Sequence, residues 1–317
     1  MRKKAIGQER IMWFKQVQLF KFENKFPFDA QELEGQLEQL TFTPCLPSFS
    51  VSQGWAPPTN EDEEDAKLVF AIPGFLLICL QVEEKILPSA VVHQQLKKQI
   101  KEIESTQNRK VSYKERNLLK QRIYQELLPQ AFGKITRNYA IIDIKNKWLI
   151  LSTNNPKRTE NFISFFKRSL NEIKMAPPEL KKISPILTDW LLNGKYPESL
   201  NIEDACTLQD PKQVKRSVKI ERQDLSVNYV QILLKSNFEV SQLKITWSDQ
   251  ITFTLKNDFT LQSLQYQDSE IELQNENESD ADEGENFQAD FFIMTGALTK
   301  IFQDLLRIFE RSPDKNP

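Results

Sequence analysis

Between residues 89 and 127 apolar side chains return at helical spacing. Val92, Leu96, Ile100 and Ile103 make one stripe; Leu119, Ile123 and Leu127, with Leu118 beside them, make a second. Ser89 follows a proline and is placed to cap the first helix. Ser112-Tyr113-Lys114-Glu115 reads as a capping box opening the next, in which serine and glutamate satisfy backbone donors reciprocally. Residues 106–111 break the pattern between them, and Pro129 ends it. Two helices with so short a connection fold back as an antiparallel hairpin. Before it, "LVFAIPGFLLICLQV" (68–82) reads as two buried strands about a Pro73-Gly74 turn, and is too short and too broken to span a bilayer. The aromatic run Phe14, Phe20, Phe22, Phe26 and Phe28 fits one buried strand face better than a base-stacking platform.

After the hairpin, "NYAIIDIKNKWLILS" (138–152) predicts two strands around Lys145-Asn146-Lys147. Residues 158–173 predict an amphipathic helix with Phe162, Phe165, Phe166 and Leu170 inward, and 175–185 reads as a linker. "ILTDWLLNG" predicts a short helix stopped by Gly194. "SVKIER" alternates as a strand, and a helix near 226–237 is capped by Ser226. "VSQLKITW" and "QITFTLK" form a hairpin about Ser248-Asp249, and "FTLQSLQYQDSEIEL" adds further strands. A final apolar helix covers 289–310. Strands and helices cluster instead of alternating, so the expected class is α+β, with antiparallel sheets, packed helices and a projecting helical hairpin.

Charge changes that picture. The formal net charge of the 317 residues is −2. Residues 97–122 nevertheless hold nine Lys/Arg against three acids, while residues 268–290 hold ten acids and no base. Without that acidic stretch the chain is −2 + 10 = +8. The acids of 97–122 are too few to pair its bases, so the hairpin carries a local positive field. Lys97, Lys98 and Lys101 lie largely off the apolar stripe; Arg109 and Lys110 occupy the tip; Lys114, Arg116 and Lys120 follow on the second helix. A second basic patch spans 212–222, where one strand face presents Lys219. Residues 275–286 read as a loop, and the acidic segment 268–290 is expected to solubilise the chain, to discourage binding at the wrong face, or to compete with an anionic partner for these surfaces.

Other chemistry is sparse. Cys45, Cys79 and Cys206 are scattered and odd in number, which fits apolar filler in a reducing cytosol, and His93 is expected on a helix surface. With one histidine and no CxxC, no zinc site is expected. Eight glycines and no GxxxxGK[ST] argue against a phosphate loop, and no cofactor is implied. Residues 1–10 lack the apolar core of a secretory signal.

Several strings occur in a specific order: "MWFK" (12–15), "FTPC" (42–45), "GWAPP" (54–58), "EEKILPSAVV" (83–92), "LLPQAF" (127–132) and "ADFFIMTGAL" (289–298). On these the chain resembles the RdgC family of recombination-associated, nucleoid-binding proteins from residue 12 to about 310. The resemblance makes residues 1–11 an extension. The expected organisation is then a central α+β region (12–85 and 131–175), a hairpin tip (86–130) and a C-terminal α+β region (176–317). It implies a ring-shaped homodimer with a positive central hole, which binds double-stranded DNA without sequence preference, binds single strands, and limits access of the RecA recombinase during fork recovery. It implies no enzymatic activity. Arg109 and Lys110 match the family's basic tip, Arg222 and Gln223 a further DNA-facing pair, and Phe132 a dimer contact at the tip. Two positions depart from patterns family members can show: Gln130 stands where arginine can precede Ala-Phe, and Ala297 where glutamate can follow "MTG".

Two rival readings remain open on the residues alone. Glu83-Glu84-Lys85 and Asp143-Ile144-Lys145 place acid-x-Lys at strands, the arrangement of restriction-type nucleases in which carboxylates hold Mg²⁺. No upstream metal-binding pair accompanies them. Alternatively the chain is an interaction scaffold whose basic hairpin takes an acidic peptide.

Overall fold

A computed structural model describes residues 13–59, 66–171, 173–267 and 283–311. Residues 1–11, and 268–282 of the acidic stretch, lie outside the described residues. The fold is α+β, with twelve strands in a large antiparallel sheet and seven helices among the described residues. The chain divides into two compact units. One takes residues 1–28, 71–77 and 140–317; the other takes 29–70 and 78–139.

The first unit is organised about β1 (Gln16–Phe22) and β6 (Trp148–Leu151), which pair antiparallel with Gln18 opposite Leu151. Both strands are covered on both faces. Phe22 meets Phe166 of α4 (Pro156–Ser169), and Gln18 accepts from Thr159 of the same helix. On the other face Lys21 pairs with Glu310, and Trp148 packs edge-on against Phe302 of α7 (Glu283–Phe309). Double coverage explains why "WLIL" of β6 shows no alternation: all four residues are buried. It also corrects the single aromatic face expected near the N-terminus. Phe14, Phe22 and Phe26 are buried, but within β1 Val17 and Leu19 fill the opposite face from Phe22, and Phe20 is half-buried.

From β1 this unit continues through β12 (Leu261–Tyr266), β11 (Ile251–Lys256), β10 (Glu239–Trp247), β8 (Leu200–Asp210) and β9 (Gln213–Ile220). The β10–β11 turn uses Ser248 and Asp249 at φ 47° and 54°. α5 (Ile183–Asn193) ends at Gly194, φ 65°, where a left-handed residue closes the last turn. The expected linker is instead structured: β7 (Met175–Ala176) pairs with β1, and Met175 is buried. α6 (Asn228–Lys235) begins after Val227 with no side-chain cap, so Ser226 does not cap it. α7 starts at Glu283, so residues 283–286 are helical, not loop.

The second unit opens with α1 (Ala30–Leu37). Asp29 and Glu32 form a reciprocal capping box, each accepting from the other's backbone N–H at 2.9 Å, and Leu33 and Leu37 are fully buried. β2 (Val51–Ala56) pairs antiparallel with β4 (Phe75–Ile86), Val51 opposite Glu84. β4 follows β3 (Val69–Ile72) through Pro73-Gly74, with Gly74 at φ 87°, and β5 (Phe132–Asp143) lies beside β4. β4 and β5 each run through both units. Cys79 and Cys206 are buried as filler, and burial pushes the Cys206 thiol up to about 12. Cys45 is half-buried, its thiol donating to the Phe49 carbonyl at 3.1 Å.

Gly54 is fixed by backbone proximity. A Cβ there would stand 2.4 Å from Phe42 Cα, because Phe42 N–H donates to the Trp55 carbonyl across the same approach. Gly35, inside α1, has nothing within 4 Å of the equivalent point. Gly54→Ala is therefore expected to destabilise by about 1–3 kcal/mol, and Gly35→Ala to stabilise by roughly 0.5–1 kcal/mol. Urea midpoints of the two variants check the opposite signs.

Candidate nucleic-acid interface

The interface begins with two helices that bury little of themselves. α2 (Ser89–Gln107) and α3 (Tyr113–Leu127) meet through Val92, Leu96 and Ile123, flanked by half-covered Leu87, Ile100, Leu119 and Leu127. This is the seam the two stripes predict, except that Ile103 lies beyond its packed residues and Leu118 faces outward at 58% exposure. Pro88 occupies the N-cap position of α2 and Ser89 is already helical, so Ser89 provides no cap. Asn108, left-handed at φ 47°, stops the helix.

Acidic side chains shape the connecting loop. Ser112 Oγ accepts from the Glu115 N–H as expected, but Glu115 does not reach back to complete the capping box. Its carboxylate instead takes both terminal nitrogens of Arg109, at 2.7 and 2.8 Å, while Arg109 Nε donates to Gln107 at 2.7 Å. The bidentate geometry holds Glu115 below the usual carboxylate range and raises Arg109, chiefly through that hydrogen bond. Glu104 accepts from the Val111 N–H at 3.1 Å. Two of the three acids in 97–122 thus fix the loop, and among the described residues only Glu115 of the three pairs with a base.

The remaining bases are exposed. Lys97, Lys98 and Lys101 on α2, Lys110 in the loop, and Lys114, Arg116 and Lys120 on α3 make no ion pair among the described residues. Arg122, by contrast, pairs with Glu126 at 3.0 Å one turn on. The other three candidates belong to the first unit. Lys219 is exposed on β9 and pairs with Glu221 at 2.6 Å. Arg222 follows the strand at φ 56°, and Gln223 is anchored by its N–H to the Asp204 carbonyl at 3.1 Å while its side chain accepts from the Tyr229 hydroxyl. Asp204 sits below the usual carboxylate range, first because Lys244 bonds it at 2.9 Å and only lastly through Arg222. Glu104 and Tyr229 were not singled out from the sequence. Glu104 acts on a backbone N–H seven residues away, which no short motif encodes.

Glu83, Lys85 and Asp143 of the two acid-x-Lys pairs have structural partners. Glu83 accepts from the Cys45 N–H at 2.7 Å, and Lys85 donates to the Pro47 carbonyl at 2.9 Å and the Leu128 carbonyl at 3.4 Å. Asp143 is buried and closes the β5–β6 turn, accepting from Asn146 N–H and Nδ2 and from Thr299. Among the described residues no three His, Cys, Asp or Glu gather as a metal site, and no helix is long and apolar enough to cross a membrane. His93 is exposed on α2.

A family profile described as "Putative exonuclease, RdgC" matches residues 12–312. The chain belongs to the RdgC family. Similar proteins named "Recombination-associated protein RdgC" include those of Sodalis glossinidius (strain morsitans), 29% identical over 297 residues, and Serratia proteamaculans (strain 568), 29% identical over 299 residues. These alignments cover 93% of this chain and 96% and 97% of those proteins. The namesake of Salmonella typhimurium is also 29% identical, over 297 residues. The RdgC resemblance read from six short strings is therefore a relationship along nearly the whole chain.

The loop clamp has a sign that pH reveals. Because the folded Glu115 value is lowered, its contribution is complete above the ordinary carboxylate range and is lost as pH falls through the lowered value. Arg109→Ala is expected to return the Glu115 titration to the ordinary range and to leave loop order at neutral pH dependent on Ser112 and Glu104. Carboxyl-carbon NMR titration of the two proteins measures this directly.

Proposed function

We propose that this protein binds DNA independently of sequence through the basic face of α2 and α3, and by occupying DNA limits RecA-mediated recombination and supports fork recovery. The observation that carries the reading is the set of seven exposed bases on one helix pair and its loop that make no ion pair among the described residues, beside two acids engaged in holding the loop. Lys and Arg brought to phosphates release condensed counterions, which favours binding without reading bases. The names of the relatives supply the link to recombination. In this reading two copies form a ring with the α2–α3 pair as its projecting tip, and Phe132 contributes to closure. Double- and single-stranded DNA are the partners, Lys219, Arg222 and Gln223 make further DNA contacts, and the protein works in the cytoplasm at the nucleoid.

The reading is non-enzymatic. Exonuclease appears in the family description, but Glu83, Lys85 and Asp143 bond to their own fold, which disfavours them as a metal-dependent site. Purified protein is expected to leave duplex and single-stranded DNA intact in Mg²⁺ or Mn²⁺. Nicking that vanishes in Lys85→Ala would establish a nuclease instead.

Binding is expected to weaken linearly in log affinity against log salt, with a slope of about −0.9 for each phosphate engaged. Unrelated duplexes of equal length should bind within a few-fold of one another. The triple variant Lys97→Glu, Lys98→Glu, Lys101→Glu should flatten the slope and lose affinity uniformly across sequences. Fluorescence anisotropy over a salt series checks both, and a site preference persisting in high salt would overturn the proposal.

A further inference from the structure

Helical geometry divides the α2–α3 pair into two unlike sides. With residues 108–112 alone joining them, α2 and α3 run antiparallel. Each residue turns its helix by about 100°. Counted in the same sense from the seam residues Leu96 and Ile123, equal angles on antiparallel helices fall on the same side of the pair. One side, at about 60–140°, takes Lys97 and Lys101 from α2 and Tyr113, Asn117, Lys120 and Tyr124 from α3. The other, at the matching negative angles, takes Gln95, Gln99 and Glu102 from α2 and Glu115, Leu118, Arg122 and Glu126 from α3.

Ion pairing follows this division. On the second side Glu126 holds Arg122 at 3.0 Å and Glu115 holds Arg109, so those arginines are engaged. On the first, Lys97, Lys101 and Lys120 are exposed and make no ion pair among the described residues. The acid on that side, Glu104, accepts from the Val111 N–H. Among these lysines stand two tyrosines that take no part in the apolar seam, Tyr113 at 81% exposure and Tyr124 at 38%. Tyr113, Asn117, Lys120 and Tyr124 follow one another at spacings of four, three and four, so they form a single line along α3. The rings stand 124 − 113 = 11 residues apart, about 16 Å along the axis.

We infer that this side is a track for unpaired bases, in which Tyr113 and Tyr124 stack on the bases of a single DNA strand while Lys97, Lys101 and Lys120 take its phosphates. The inference rests on the DNA binding proposed above, and adds to it a discrimination that charge alone lacks. Phosphates recur on strands and duplexes alike, so lysines attract both. A base inside a duplex has its faces covered by its neighbours and shows only edges in the grooves. An unpaired base offers a π-face, which an aromatic ring accepts whatever the sequence. Two rings on one line with a cation between them therefore favour strands over closed duplex. A partner helix fits this line less well, because it would seek apolar anchors at these spacings. The positions between the rings are instead Asn117 and Lys120, both polar and exposed. The unpaired lysines beside the rings complement an anion.

Probes of equal length and charge separate stacking from charge. An oligothymidine, an abasic strand with the same number of phosphates, and a duplex are compared by fluorescence anisotropy. Wild type is expected to hold the oligothymidine about tenfold or more tighter than the abasic strand. Tyr113→Leu with Tyr124→Leu should remove most of that preference. Its duplex affinity, salt slope and melting temperature should stay at wild type, since both rings are exposed and uncharged. Tyr113→Phe with Tyr124→Phe keeps the rings and should keep the preference, as should Leu118→Ala on the opposite side. If wild type binds duplex but holds the abasic strand as well as the oligothymidine, the track is wrong and the DNA reading stands. If none of the three probes binds, the DNA reading falls and this inference with it. An equal loss on all three probes in the leucine variant, or loss of the preference in Leu118→Ala, would make these side chains supports of the helix pair and overturn the stacking role.

Discussion

The seam between α2 and α3 must hold two helices of like charge together. Three side chains are buried there and four are half-covered. Fully burying one such group contributes about 1.5–3 kcal/mol, so the seam amounts to several kcal/mol. Opposing it are exposed bases, whose repulsion on helix surfaces is a few tenths of a kcal/mol per close pair and is screened beyond about 8 Å at physiological ionic strength. The apolar term therefore wins, and the positive charge need not be neutralised within the chain. The two acids that flank the loop act on geometry, Glu115 of α3 clamping Arg109 and Glu104 of α2 holding Val111. The charge left over after folding stays on the exposed surface of the helix pair and its loop.

Much of this was legible because it is periodic. Val92, Leu96, Ile123 and the phenylalanines of α4 occupy the positions that helical spacing assigns to them, and Pro73-Gly74 and Ser248-Asp249 sit where strands must turn. What escaped depends on partners distant in sequence or on competition between near neighbours. The segment containing Met175 reads as a linker because its two-residue strand pairs with β1, more than 150 positions earlier. Ser89 and Ser226 have the right chemistry for caps, but Pro88 and Val227 occupy the N-cap positions. Glu115 had two competent donors within reach and took the charged one. The box at Asp29 and Glu32 carries the same signal as Ser112 and Glu115 and was available to sequence reading, yet was passed over.

The candidate site divides in the same way. Which bases are abundant is evident from composition; which of them are free is not, because pairing is a property of the folded chain. Arg109 and Lys219 are engaged with Glu115 and Glu221, whereas Lys97, Lys98 and Lys101 make no ion pair among the described residues. Acid-x-Lys at a strand end has the letters of a metal site, but Glu83 and Lys85 meet main-chain groups.

The position of β1 bears on how the protein is made. This strand precedes the other eleven along the chain, yet its pairing residue Val17 meets Leu261, 261 − 17 = 244 positions later. At roughly 5–20 residues per second, the wait is on the order of 12–50 seconds. During it, residues 29–70 and 78–139, which form the second unit, are complete and able to fold. The first unit stays open, with one edge of β1 unpaired, until β12 has emerged. An apolar strand edge left open so long is a template for pairing with another chain.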